Sequence, residues 1–201
     1  MNAAVLRRYI TIGIVVVLVV PAVYIMIGYF DTPPGDYEVR QGDIHLGVEE
    51  WEEALADFDR ALEAQPDHRG ALMGRALVFL NTGRDREAEA ALLYLIDYLT
   101  ETLEESDLTG RGTLAAAHAN LGILYDRQGR YEDAIRHYDL ATQVDEETVD
   151  GPGIMHRILY EARPSTVADR ASYLREQLAL PEEERLLRVP EIDERQRMYK
   201  P

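Results

Sequence analysis

Five histidines, His45, His68, His118, His137 and His156, are the side chains most able to carry out acid–base or metal chemistry. Their spacing supports neither. No H-E-x-x-H stands on a helical pattern, and no pair is set three or four residues apart to close on a metal. Cysteine is absent, which removes thiolate nucleophiles, thiolate metal sites and disulfides together. The sequence has no glycine-rich phosphate loop and no G-x-S-x-G elbow. The adjacent acids Glu49/Glu50 and Glu104/Glu105 diverge around a helix axis, so they read as solvated charge. These residues imply no catalytic group, no metal and no cofactor, and a chain that is not an enzyme.

Charge narrows the partners. All 37 acidic residues lie from Asp31 onward, and the chain's formal charge is −16. Nucleic acid would be repelled, because its binding rests on cationic contacts to phosphate. The acid serves either solubility or attraction to a basic partner.

The segment from Tyr9 to Phe30 carries no charge. As one helix it would rise about 33 Å, enough for a hydrocarbon core of about 30 Å. It is longer than a signal-peptide core and lacks an A-x-A-like cleavage site. It therefore predicts an uncleaved anchor through the bilayer at 9–30, kinked at Pro21. Gly13 and Gly28 form no helix-pairing face. Arg7 and Arg8 on one flank and acid on the other predict a cytoplasmic N-terminus. The chain would then be a single-pass protein of a bacterial inner membrane, with the remainder periplasmic.

Beyond a Pro/Gly linker at 31–36, apolar residues recur at helical spacing. ANLGILYDRQGRYEDAIRHYDLATQVD places Leu121, Gly122 and Tyr125 on one helix and Ala134, Tyr138 and Ala141 on the next, with Gly129 and Arg130 turning the chain. The same pattern appears upstream as Gly42, Trp51, Ala54, Phe58, Ala61 and Pro66, and again as Ala76, Phe79, Gly83, Ala88 and Leu92. Ala54 and Ala88 are 34 residues apart; Ala88 and Ala134 are 46 apart, so twelve residues are inserted near 97–112. Small residues at Gly122 and Ala134 let paired helices approach, and the aromatics wedge between pairs.

These units resemble tetratricopeptide repeats over roughly residues 36–145. The resemblance implies an all-α chain: after the transmembrane helix, a stack of about three helix pairs over 37–145, capping helices over 146–180 and an extended tail over 181–201. Two features belong to the reading of the residues themselves. The stripe Ala88, Leu92, Leu95, Ile96, Leu99 and Leu103 extends the second helix of unit two; either a lengthened helix starting near Thr113 covers it through Leu114 and Ala117, or it stands out as an exposed partner-binding flange. A T-x-x-D capping box at Thr166 and Asp169 opens the last helix, with Val167, Ala171, Leu174 and Leu178 inward.

The resemblance further implies a concave groove lined by the first helix of each pair. The matching positions are Val39, Asp43, Leu46, Met73, Leu77, Leu80, Asn81, Asn120, Ile123, Asp126 and Arg127. Relatives that clamp chaperone C-termini use lysine, arginine and asparagine there; Val39 and Asp43 in the first unit disfavour that role. The expected function is a protein-binding scaffold or assembly factor at the membrane surface, or alternatively a permanent accessory subunit of a membrane complex. The expected partners are membrane-embedded or membrane-proximal proteins with a basic surface or an extended peptide.

Overall fold

The computed structural model describes Arg7 and residues 12–23, 33–150 and 166–188. Helix α1, 12–23, runs through Pro21 with its side chains exposed. Among the described residues no helix is long and apolar enough to cross a membrane. This overturns the expected transmembrane helix over 9–30, and with it the single-pass inner-membrane location, the cytoplasmic N-terminus and the periplasmic repeat domain. An apolar run is not a span unless one helix keeps its length across the hydrocarbon. Residues 9–11 and 24–30 lie outside the described residues.

The rest of the described chain is an all-α repeat stack. The helices are α2 (Asp36–Gly47), α3 (Trp51–Ala64), α4 (Arg69–Asn81), α5 (Asp85–Thr102), α6 (Leu108–Arg127), α7 (Tyr131–Val144), the short α8 (Glu146–Val149) and α9 (Val167–Leu178). Consecutive helices pack in antiparallel pairs, α2 with α3, α4 with α5 and α6 with α7, and α9 lies on α7. Close approach depends on missing side-chain volume. A Cβ on Gly122 would lie 2.6 Å from the Tyr138 ring, and one on Gly74 would lie 2.3 Å from Phe58.

Each pair turns by the same device. The N–H groups of Glu50, Arg84 and Arg130 donate to the carbonyls of His45, Phe79 and Tyr125, five residues back, at 2.9, 2.9 and 2.8 Å. That bond needs the preceding residue in the left-handed region. Gly83 and Gly129 stand there with φ of 70° and 77°, and so does Glu49, with φ 63°. The arginine after each glycine stacks on the aromatic ring of its own turn, Arg84 at 4.3 Å from the Phe79 centroid and Arg130 at 3.8 Å from that of Tyr125.

The inserted residues lengthen two neighbouring helices together. Leu92, Leu95 and Leu99 on α5 are buried along with Leu114, Ala115 and Ala117 on α6, so each helix covers the other's extension. Helix α6 begins at Leu108, five residues before Thr113, because Asp107 caps it: its carboxylate accepts the Gly110 N–H at 2.8 Å. That bond, together with Arg69, holds the Asp107 carboxyl below its ordinary range. At α9 the capping box forms, with Thr166 Oγ1 accepting from Asp169 N at 3.1 Å and Asp169 Oδ2 accepting from Thr166 N at 3.2 Å. The part of the expected capping helices that falls on 151–165 lies outside the described residues.

The stack contains two cores. Ala54, Phe58, Ala61, Ala71 and Val78 make a small one between α3 and one face of α4. The larger runs from the other faces of α4 through α5, α6 and α7 to Val167, Ala171 and Leu174 of α9.

Glu49 carries the cost of a side chain in the left-handed region, about 1–2 kcal/mol, at a turn where the other two units use glycine. Glu49→Gly should raise stability by about 0.5–1 kcal/mol once the entropy of glycine is offset. Chemical denaturation of the two proteins checks it; an unchanged or lowered midpoint would show that this turn is relaxed.

Candidate functional site

Helix α4 buries three stripes. Ala71, Gly74 and Val78 face Phe58 and the small core, whereas Leu72 and Ala76 join the large core with α5. The third stripe, Met73, Leu77 and Leu80, turns toward α6, where Asn120 Nδ2 reaches Met73 Sδ at 3.6 Å. Helix α4 neighbours both α2 and α6, so the first helices of the three pairs follow one another along one side of the stack.

Most of the anticipated groove positions on that side are covered. Met73, Leu77 and Leu80 are 2–4% exposed, and Asn120, Ile123 and Asp126 are at 0%. Val39, Asp43 and Leu46 on α2 are half-buried, with Val39 and Leu46 packed on the small core. Only Asn81 and Arg127, at the C-terminal ends of α4 and α6, are exposed, and Asn81 Nδ2 donates to the Leu77 carbonyl at 2.8 Å. Helix α6 is buried without a break from Gly112 to Asp126. A helix buried all round has neighbours on every face, its groove face included.

Asp126 belongs to an assembly the sequence did not suggest. Arg170 on α9 grips it with both arms of the guanidinium, Nε to Oδ2 at 2.7 Å and Nη2 to Oδ1 at 2.9 Å, with the two side chains 2% and 0% exposed. Tyr138 Oη donates to Asp126 Oδ2 at 3.3 Å, and Arg170 Nη2 donates to the Leu187 carbonyl at 3.0 Å. The signal for Arg170 was its position between Val167, Ala171 and Leu174, on the apolar face of its own helix.

The four described histidines each have a side-chain partner. His45 Nδ1 meets buried Asp57 at 2.6 Å, and His68 Nε2 meets Asp36 at 2.8 Å. The Nδ1 atoms of His118 and His137 stand 3.0 Å apart. One must donate and the other accept, so the two rings cannot both be charged in this arrangement. Burial, then the charge of the neighbouring ring, pushes His118 down to about 4; burial, then Arg136, also lowers His137. Tyr125, whose ring edge meets His137, donates to Glu89 at 2.9 Å and is raised by burial and then by Glu89.

A second concavity of about 570 Å³ opens where α4 and α6 begin and α5 ends. Its polar groups are tied to one another: Arg69 to Asp107, His68 to Asp36, and Tyr98 to Asp67 at 3.2 Å. Such a lining braces the inserted turn and offers a ligand little.

Two outcomes follow from these contacts. Arg170→Ala leaves the Asp126 carboxylate buried without its cation and should cost about 3–5 kcal/mol. Arg170→Met with Asp126→Asn should cost clearly less than the summed single changes, read as urea midpoints; additivity would mean that the pair is not coupled. For His118 and His137, the folded pKa lies below the ordinary 6.5, so the unfolded chain binds protons that the fold refuses. Stability should therefore fall as pH drops below 6.5 toward about 4, by up to about 1.4 kcal/mol per pH unit for each refused proton. The fall between pH 6.5 and 5 should shrink in His118→Phe, as followed by thermal midpoints.

Comparisons with known proteins agree with this geometry. The chain is 27% identical over 108 residues to anaphase-promoting complex subunit 3 of Schizosaccharomyces pombe, an alignment covering 54% of this chain and 14% of that protein. Residues 39–99 match one tetratricopeptide repeat family model, from α2 into α5, and residues 115–147 match another, over most of α6 and α7. Tetratricopeptide repeats are thus found over residues 39–99 and 115–147.

Proposed function

We propose that the protein is a non-enzymatic interaction scaffold that uses the shared side of α2, α4 and α6 to hold another protein. One observation carries the reading. The stripe Met73–Leu77–Leu80 stands apart from the small cluster around Phe58 and belongs to the cluster that also holds Ile123 on α6. Helix-pair repeats have this spare face because stacking consumes only the other two. A partner for it would offer an apolar anchor flanked by basic groups, matched to a chain of formal charge −16. Histidines engaged with Asp57, Asp36 and each other support a binding role over catalysis.

A second reading, a permanent subunit of a multiprotein assembly, is favoured by the similarity to a protein named as a complex subunit. The chain spans only 14% of that protein, so the similarity bears on the repeats and not on the whole assembly.

The exposed rim residues Asn81 and Arg127 allow a test that spares the core. Asn81→Arg with Arg127→Glu should leave helical circular dichroism unchanged and reduce co-purifying protein from the cell of origin at least tenfold. A stoichiometric, salt-resistant companion set in the unaltered protein supports the subunit; a substoichiometric, changing set supports the scaffold. Companions retained in full by the double variant would refute use of this side.

A further inference from the structure

We propose that α9 carries a site for an extended peptide segment of a partner protein, and that residues 185–188 of the chain are its built-in, displaceable occupant. The site adjoins the shared side of the stack at Asp126 but works through different side chains.

Arg170, Tyr173 and Gln177 stand at i, i+3 and i+7 and so share one face of α9. After the turn at Glu182–Glu184 the chain leaves Arg185 extended, with φ −73° and ψ 128°, and runs back across that face. Leu186 N donates to Gln177 Oε1 at 2.8 Å, and Tyr173 Oη donates to the Leu186 carbonyl at 2.7 Å. Arg170 Nη2 donates to the Leu187 carbonyl at 3.0 Å. All three bonds go to main chain, so this face recognises an extended backbone.

Side chains of the strap add selectivity. Leu186 is 65% exposed and free to vary, whereas Leu187 packs on the large core. Arg188 donates to the main-chain carbonyl of Asp126 in the last turn of α6, the negative end of that helix. An external segment would therefore offer one unread position, then an apolar side chain, then an arginine. The basic residue also suits a chain of formal charge −16.

The face keeps its shape without the strap. Arg170 is fixed by its fork on Asp126 and lies 5.5 Å from the Tyr173 ring centroid, and α9 lies on α7. The strap contributes one apolar side chain to the core, Leu187. Segments with few buried apolar contacts open locally before the fold does, and a matching segment restores each contact it displaces.

The probe is a labelled peptide of residues 181–188, read by fluorescence anisotropy on the full-length protein. Leu187→Glu removes the strap's apolar anchor and leaves α9 unaltered, so this protein should bind the peptide at least tenfold more tightly than the unaltered chain. Tyr173→Phe with Gln177→Leu, added to it, should abolish that binding. Within the peptide, Leu187→Glu should weaken binding at least tenfold and Leu186→Glu should not. If the strap is only a cover for the end of the stack, Leu187→Glu gains no affinity for the peptide, and that result overturns the proposal. Should Leu187→Glu lose its helical circular dichroism, Leu186→Pro decides, since it deletes the N–H given to Gln177 at an exposed residue; the same gain is then required. A dimer of the unaltered chain that dissociates on Leu187→Glu would make a second copy's strap the occupant and overturn the proposal as well. The rim substitutions on α4 and α6 test the shared side separately. Peptide binding with companions indifferent to the rim supports this site alone, and companions lost at the rim without peptide binding overturn it alone.

Discussion

An aspartate and an arginine that have both left water decide how this stack ends. A helix-pair repeat cannot bury its own apolar face, so the last pair of any array needs a cover. Here α9 supplies it, and Arg170 fixes the cover by closing on Asp126 of α6, across from Tyr138 of α7. The pair draws on three helices and on the Leu187 carbonyl beyond them. A charge pair out of water is tolerable only when its geometry is good and its remaining hydrogen-bonding capacity is used. Two short bonds in a fork, a phenol and a main-chain oxygen meet that demand, and they lock α9 at one angle. The direction of the chain after α9 follows from that angle.

The helix pairs were legible because close approach leaves a mark in composition. Only a residue with little or no side chain fits opposite Phe58 or Tyr138, so Gly42 and Gly122 each stand twelve residues before Ala54 and Ala134. The capping box of Thr166 and Asp169 was legible for a similar reason, since the bonds run between residues three apart. The start of α6 was not. Gly110 and Gly112 read as loop residues, but Gly112 lies buried against Thr148 of α8, and Asp107 meets the helix end locally. Glu49 was read as solvated charge because nothing in its type announces a left-handed backbone.

The candidate site was less legible than the fold. The apolar positions on α4 and α6 were identified as one surface, but their burial depends on what lies over them, which helical periodicity cannot register. Asp126 was assigned to that surface from the repeat pattern, while its partner is 44 residues downstream. Arg170 could have been flagged, since a charge on an apolar stripe needs a counter-charge. The expected membrane anchor rested on hydropathy, which measures the composition of a stretch, and among the described residues no helix is long and apolar enough to cross a membrane.

The division into two cores has a mechanical consequence. The first repeat keeps its own cluster around Phe58, joined to the larger core mainly through α4, whose opposite faces serve both. A load applied at the N-terminal side would meet this small cluster before the large one, so the array would yield in steps. The first pair of helices would peel away as a unit while the larger core, clamped at its far end, held its shape. The resistance of that end is then set by how many side chains surround a single phenylalanine.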